Sequence, residues 1–229
     1  ETGSGLTISF NRNEITKLYT ETAGLSGTIN SETYTYSEVG QPIGQFYGYN
    51  VIGMFTKEDD FYKRDSYGNY ILDKNGERVK VAIPKGKNIS ESEIWVGDYI
   101  YEDIDDNGVI DEKDRTYLGN PEPKFSYGFN NSFSYKGFDL NIVLYGTLGG
   151  MLKNAVRVNH QSYRNNSVKF DYWTPNNPTN AYPRPNRLYD NIEYESSLYY
   201  EKSDFLRVKT ITLGYTLPKN LVNKATLSN

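Results

Sequence analysis

The run Asp103-Ile104-Asp105-Asp106-Asn107-Gly108-Val109-Ile110-Asp111-Glu112-Lys113-Asp114 places oxygen donors at positions 1, 3, 5, 9 and 12 of a loop, with glycine at position 6. That is the ligand order of a calcium loop: a hard cation of this size takes six to eight oxygens, glycine permits the sharp turn that aims them inward, and Val109 at position 7 supplies its carbonyl. The expected ligands are therefore Asp103, Asp105, Asn107, Val109, Asp111 and Asp114. Position 12 is aspartate where an EF-hand has glutamate, and the flanks Trp95–Ile104 and Arg115–Gly119 read as extended rather than helical. Calcium is favoured over zinc because every candidate donor is a hard oxygen, and over magnesium because a flexible ring of many oxygens suits the larger ion. The other reading of the same residues is an Asp-Asn-Gly turn in an acidic surface loop.

Composition narrows the chemistry further. The 229 residues include no cysteine and a single histidine, His160. Thiol nucleophiles, thiolate zinc sites, histidine clusters and disulfide staples are thereby excluded. Acids are plentiful, but no motif singles out a carboxylate pair for glycoside hydrolysis. Charge is concentrated: residues 91–114 hold ten acids and only one base, Lys113, while the rest of the chain is net basic. A nucleic acid is therefore an unsuitable partner for this segment, and a cation a suitable one.

The elements that would position such a loop read as strands. Phe125-Ser-Tyr-Gly-Phe129-Asn-Asn-Ser-Phe133-Ser-Tyr135 alternates with period two. Lys136-Gly137 turns the chain, and Phe138, Leu140, Ile142 and Leu144 continue the apolar face opposite Asp139 and Asn141. Leu6–Phe10 and Ile211–Leu217 alternate in the same way, and Phe46–Phe55 reads as a glycine-rich aromatic strand. Arg207 and Lys209, two residues apart, fall together on one face of the otherwise apolar last strand, which suggests a lumen-facing or plug-facing pair, or else a pair snorkelling at the rim.

Between the strands lie two long polar stretches, 57–124 and 150–204. Loops of this length count against a compact soluble domain. They are expected of an outer-membrane barrel, whose strands alternate apolar-out and polar-in and whose short periplasmic turns oppose long extracellular loops. Phe125, Tyr127, Phe129 and Phe133 would then meet lipid, and Ser126, Gly128, Asn130, Ser132 and Ser134 a wet lumen. Alternation alone leaves open a soluble β-sandwich with the aromatics turned into its core. No run approaches the roughly 18 apolar residues of a membrane helix.

Several blocks in series carry a family resemblance. They are Gly40-Gln-Pro-Ile-Gly44-Gln-Phe-Tyr-Gly48 to Phe55, Gly97-Asp98, Gly119-Asn-Pro121-Glu-Pro123-Lys-Phe125, Tyr135-Lys-Gly137-Phe-Asp139, Asp171-Tyr-Trp173-Thr-Pro175-Asn-Asn-Pro178, Tyr182-Pro183-Arg184 and Leu206-Arg207-Val-Lys209 to Pro218. In this order they resemble the SusC/RagA group of TonB-dependent outer-membrane transporters. The resemblance implies an all-β fold of antiparallel strands forming part of a 22-stranded transmembrane β-barrel with long extracellular loops. Residues 1–229 would be its C-terminal portion, in the outer membrane of a Gram-negative, Bacteroidetes-type bacterium.

It also implies a role in importing glycan oligosaccharides or peptides with a SusD-like surface lipoprotein, energised through TonB. Plug, TonB-contacting box and final strand are not recognised in the sequence. So few strands cannot close such a barrel, and open edges in lipid cost several kcal/mol per unpaired backbone group. The expected partners are therefore the remainder of the transporter chain, TonB through segments outside this one, the lipoprotein, membrane lipid and the cargo. The aromatic faces of Trp173, Tyr182, Tyr189 and Tyr199 suit stacking on sugars, although packing of loop against loop is the favoured reading of the same residues. A secreted calcium-dependent carbohydrate-binding β-domain is the main alternative, and a glycan-degrading enzyme domain the third.

Overall fold

A computed structural model describes residues 1–19, 24–29, 32–154, 156, 169, 171–185 and 195–224. The described strands, in chain order, are β1 (Thr2–Phe10), β2 (Leu25–Ile29), β3 (Glu32–Ser37), β4 (Gln45–Tyr49), β5 (Val51–Met54), β6 (Ile83–Pro84) and β7 (Tyr99–Tyr101). They continue with β8 (Val109–Ile110), β9 (Arg115–Gly119), β10 (Phe125–Tyr135), β11 (Phe138–Leu148), β12 (Met151–Lys153), β13 (Tyr200–Lys202) and β14 (Phe205–Tyr215). The described helical elements are three single 3-10 turns and a six-residue helix, Lys219–Lys224. The expected all-β class is therefore observed.

The chain divides into two compact units. The first comprises Glu1–Asn13, Asn120–Leu152 and Lys202–Asn229. Its four long strands form one antiparallel sheet in the order β1-β10-β11-β14. β10 and β11 are joined by the expected two-residue turn: Lys136 and Gly137 both have positive φ, 49° and 87°, the geometry whose twist matches that of a hairpin.

Register fixes the faces, because directly opposed residues project from the same side of a sheet. Phe129 lies opposite Leu6 and Leu144, and Leu140 opposite Phe133 and Leu213. One side is thus a continuous apolar surface that includes Leu6, Ile8, Phe125, Phe129, Ile142 and Ile211. The other carries Gly5, Thr7, Ser126, Gly128, Asn130, Asn141 and Thr212, with Val143, Tyr145 and Phe205 as its larger apolar members. β1 and β14 are exposed along nearly their whole length on both faces, and Leu213 on the apolar side retains 72% of its surface. A soluble sheet buries its apolar face against a second layer; among the described residues this one does not.

β14 departs from simple alternation. Val143 faces Thr210 but Leu144 faces Val208, so Lys209 is an extra residue with no partner across the ladder. The bulge decides which face Arg207 takes, whereas Lys209 has no register partner that fixes its own. Below it the apolar positions are odd (Ile211, Leu213, Tyr215); above it they are even (Leu206, Val208), and Arg207 passes to the polar side.

The second unit comprises Glu14–Gly119 and Lys153–Glu201. The expected loop 57–124 begins well inside it, and Phe46–Phe55 belongs to it instead of forming one long strand. At Asn50 that segment changes partners: β4 pairs with β9 in the sheet β2-β3-β4-β9, whereas β5 pairs with β7. β6 and β8 form a short parallel pair. Two apolar clusters organise the unit. One gathers Tyr49, Met54, Ala82, Tyr99, Tyr101 and Ile110; the other gathers Phe55, Phe61, Ile94 and Val96.

Candidate functional site

The acidic loop is held at three points. Asp103 follows β7, Val109 and Ile110 form β8 beside β6, and Asp114 precedes β9. The flank Arg115–Gly119 is a strand, as the sequence predicts; in Trp95–Ile104 only Tyr99–Tyr101 is, after a turn at Trp95–Asp98, and a 3-10 turn occupies Glu112–Asp114. Asp106 and Gly108 take positive φ, 53° and 85°, the second being the turn that position 6 requires.

Of the six expected ligands the structure brings Asp103, Asp105 and Asp114 together, with one carboxylate oxygen of each within 4.8 Å of the others. The remaining three are engaged locally. Asn107 Oδ1 accepts from the Val109 amide at 2.8 Å, Asp111 Oδ1 accepts from the Lys113 amide at 2.9 Å, and Val109 lies in β8. Asp114 is fully buried, and its two oxygens accept from the amides of Ile104 and Asp111, both at 2.8 Å. Asp103 accepts from the Asn107 and Gly108 amides at 3.1 and 3.0 Å.

Lys63 also reaches this cluster, with Nζ 3.5 Å from Asp103 and hydrogen-bonded to Asp106. That bond holds the Asp106 carboxyl below its ordinary range and raises Lys63. Lys113 stands 4.0 Å from Asp105. Sequence spacing finds the carboxylates; it does not find Lys63, forty residues upstream, which competes with any cation for Asp103.

The aromatic candidates fare unevenly. Tyr199 is 2% exposed and belongs to the core, so its ring offers no face to a sugar; this corrects the expectation. Trp173 packs against both apolar clusters and lies over Gly97, where an added Cβ would sit 2.5 Å from the indole. Its backbone N–H donates to Tyr182 O at 3.0 Å, so Trp173 and Tyr182 are brought together. Tyr189 lies outside the described residues.

A clasp that the sequence reading missed joins these parts. The Arg184 guanidinium donates to Asp98 Oδ2 from Nε and Nη2 at 3.2 and 3.1 Å, and to the carbonyls of Glu91 and Glu93, each at 2.8 Å. Asp98 is 1% exposed, and the Arg184 amide bonds Gly97 O at 2.9 Å. Glycine is required at 97, where φ is +95° and the Trp173 ring closes in. Gly97-Asp98 and Tyr182-Pro183-Arg184 are two of the sequence blocks quoted above; the blocks were legible, and their contact across 86 residues was not. A second buried ionic group joins Glu195 to Lys153 at 2.7 Å and to the Tyr200 hydroxyl. Burial, then the bond to Glu195, pushes the Tyr200 phenol well up.

No family model matches the chain. Among curated proteins it is similar to three from Formosa agariphila. TonB-dependent receptor P3 is 30% identical over 190 residues, which are 82% of this chain and 16% of that protein. TonB-dependent receptor P26 is 35% identical over 54% of this chain and 13% of that protein, and P39 is 26% identical over 95% and 22%. Among solved structures, the RagAB peptide transporter superposes with a TM-score of 0.62 at 19% identity, over 96% of this chain and 21% of that one. The RagAB peptide importer in its closed-closed state superposes at 0.57 and 20% identity, again over 96% of this chain and 21% of that one. This chain thus spans less than a quarter of each relative. With its one-sided antiparallel sheet, its ordered loop unit and receptors as its curated relatives, it belongs to the TonB-dependent receptors of the SusC/RagA type, of which it is a partial chain.

Proposed function

We propose that this segment supplies part of the barrel wall and extracellular loops of an outer-membrane transporter that imports peptides or glycan oligosaccharides. A SusD-like lipoprotein closes over the loops, and TonB energises the cycle through other parts of the protein. The observation that carries this reading is the β1-β10-β11-β14 sheet, apolar on one face, polar on the other and, among the described residues, without a second layer over the apolar face. Such a sheet is at rest where lipid meets one side and water the other. The peptide cargo is suggested by the RagAB neighbours; the paired lipoprotein and the glycan cargo rest on the SusC/RagA resemblance. No covalent chemistry is assigned to the segment.

In the same reading the acidic loop binds one calcium ion on Asp103, Asp105 and Asp114, with Asn107, Val109 and Asp111 as further donors. Three converging hard oxygens suit that ion, and their mutual repulsion favours a cation over Lys63 alone. The ion rigidifies a long loop and takes no part in transport chemistry.

Topology tests the whole reading. An epitope inserted in the Asp65–Asn69 turn beside exposed Tyr67, and another at Lys136-Gly137, are probed on cells expressing the full-length receptor. The first should bind antibody on intact cells and the second only after permeabilisation. Labelling of the Lys136-Gly137 site on intact cells sinks the proposal.

A further inference from the structure

Resting on the barrel reading above, we infer that Arg207 is an anion-recognition residue on the water-filled side of the wall, placed there by the β-bulge at Lys209, and that it engages carboxylate groups of the cargo. Without the bulge, strict alternation from Ile211 would put Lys209, Arg207 and Phe205 on the apolar face. A guanidinium there would meet lipid at a depth-dependent cost that natural barrels avoid. The extra residue rotates the upper half of the strand by one step, so Leu206 and Val208 take the apolar face and Arg207 comes to lie opposite Tyr145.

Around it the polar face is built to leave the charge available. Its row across the sheet is Thr7, Gly128, Tyr145 and Arg207, and the rows on either side are Ser9, Ser126, Thr147, Phe205 and Gly5, Asn130, Val143, Thr210. None of these residues is acidic. The acid nearest in sequence, Asp204, accepts from the Gly149 amide at 2.6 Å. Asp139, on the same face, lies at the turn end opposite Gly214 and is bonded by Ser134. Among the described residues Arg207 makes no ion pair and no hydrogen bond; its guanidinium lies 5.6 Å over the Phe205 ring, which itself packs 5.6 Å from Tyr145.

An exposed guanidinium resting against an aromatic ring, with no acid beside it, keeps its planar donor fork open to a carboxylate. At Gly128 in the same row an added Cβ would have one neighbour within 4 Å, the Leu144 carbonyl oxygen at 3.9 Å, so the space in front of Tyr145 is clear. A peptide terminus, an acidic side chain or a uronic acid presents the group this site would take.

Two measurements on the full-length receptor, freed of any cysteine outside this segment, test the inference. Nitroxide labels are placed singly from 205 to 213, and their collisions with bilayer oxygen and with an aqueous nickel chelate are compared. Oxygen should reach 206, 208, 211 and 213 but not 205, 207, 210 or 212. Oxygen contact at 207 overturns the bulge assignment while leaving the membrane reading intact. Aqueous contact without oxygen contact at all nine positions overturns the membrane reading itself.

The second measurement uses Tyr145→Cys, whose reaction with a sulfonate-bearing thiosulfonate is compared with that of a trimethylammonium analogue. Arg207→Gln should lower the anion-to-cation rate ratio by about fivefold at low salt, and less as salt rises. An unchanged ratio shows the guanidinium already paired by another part of the receptor. That outcome, or no reaction with either reagent, overturns the assignment to cargo.

Discussion

Replacing Arg184 by methionine should open the loop unit locally while leaving the four-stranded sheet untouched. Methionine keeps the apolar stem and removes the charged fork. The variant loses two contacts to Asp98 Oδ2 at 3.1 and 3.2 Å and two to the carbonyls of Glu91 and Glu93 at 2.8 Å. Both partners lie well below one-third exposure, 14% for Arg184 and 1% for Asp98, so solvent screening discounts little. Removing one member of such a pair strands a buried charge at about 3–5 kcal/mol. Since 1.36 kcal/mol is tenfold in an equilibrium constant, the low end alone corresponds to a rise of roughly a hundredfold in local opening.

Hydrogen exchange in the intact receptor reads this directly at three amides: Trp95, which donates to Asp98 at 2.8 Å, Arg184 itself, and Trp173. Exchange at Phe129 and Ile142 should not change. Asp98→Asn is the companion variant. It keeps the shape, leaves Arg184 buried beside a neutral amide, and in the double variant should recover part of the loss, because each single change strands a charge that the double does not. Less than a threefold rise at Trp173 in Arg184→Met, or strict additivity of the pair, would refute the clasp as the tie between these two parts of the chain.

Three further outcomes follow from the same structure. Phe129→Arg, between Leu6 and Leu144 on the apolar face, should cost about 2–4 kcal/mol in the denaturant midpoint of the receptor refolded in vesicles. Asn130→Arg, between Gly5 and Val143, should be mild, and equal costs would remove lipid from the apolar side. Chelation should raise exchange across residues 98–118 relative to calcium buffer; identical protection in the two conditions leaves only the hydrogen-bonded turn. The Tyr200 phenol, raised by burial and by Glu195, keeps its proton in the fold after unfolded tyrosine has lost its own near pH ~10. Its stabilisation is therefore full below that pH and is lost progressively above it. Tyr200→Phe should flatten the alkaline limb of a stability curve, and parallel limbs for the two proteins would contradict the assignment.

Period-two alternation made the Phe125–Leu148 hairpin legible, because one face of a strand must differ chemically from the other wherever its two sides meet different surroundings. The same rule failed at Phe46–Phe55, whose aromatics serve two different pairings on either side of Asn50. It failed at Tyr199 for a related reason: an aromatic residue in a polar stretch reads as a platform until packing shows that it is core. The acidic loop was half legible, since spacing predicts which oxygens one turn can gather but not the lysine that folds back onto them.

Sequence alone determined the β class, the family blocks in their order, the tight Lys136-Gly137 turn and the carboxylates at loop positions 1, 3 and 12, because each depends on local spacing along the chain. Only the tertiary structure decided that Arg184 closes on Asp98 across 86 residues, that Lys63 reaches Asp103, and that Arg207 leaves the apolar face. The first two depend on long-range packing, which no local period encodes. The third depends on one unpaired residue, Lys209, and a bulge is a property of two strands in register, invisible in either strand read by itself.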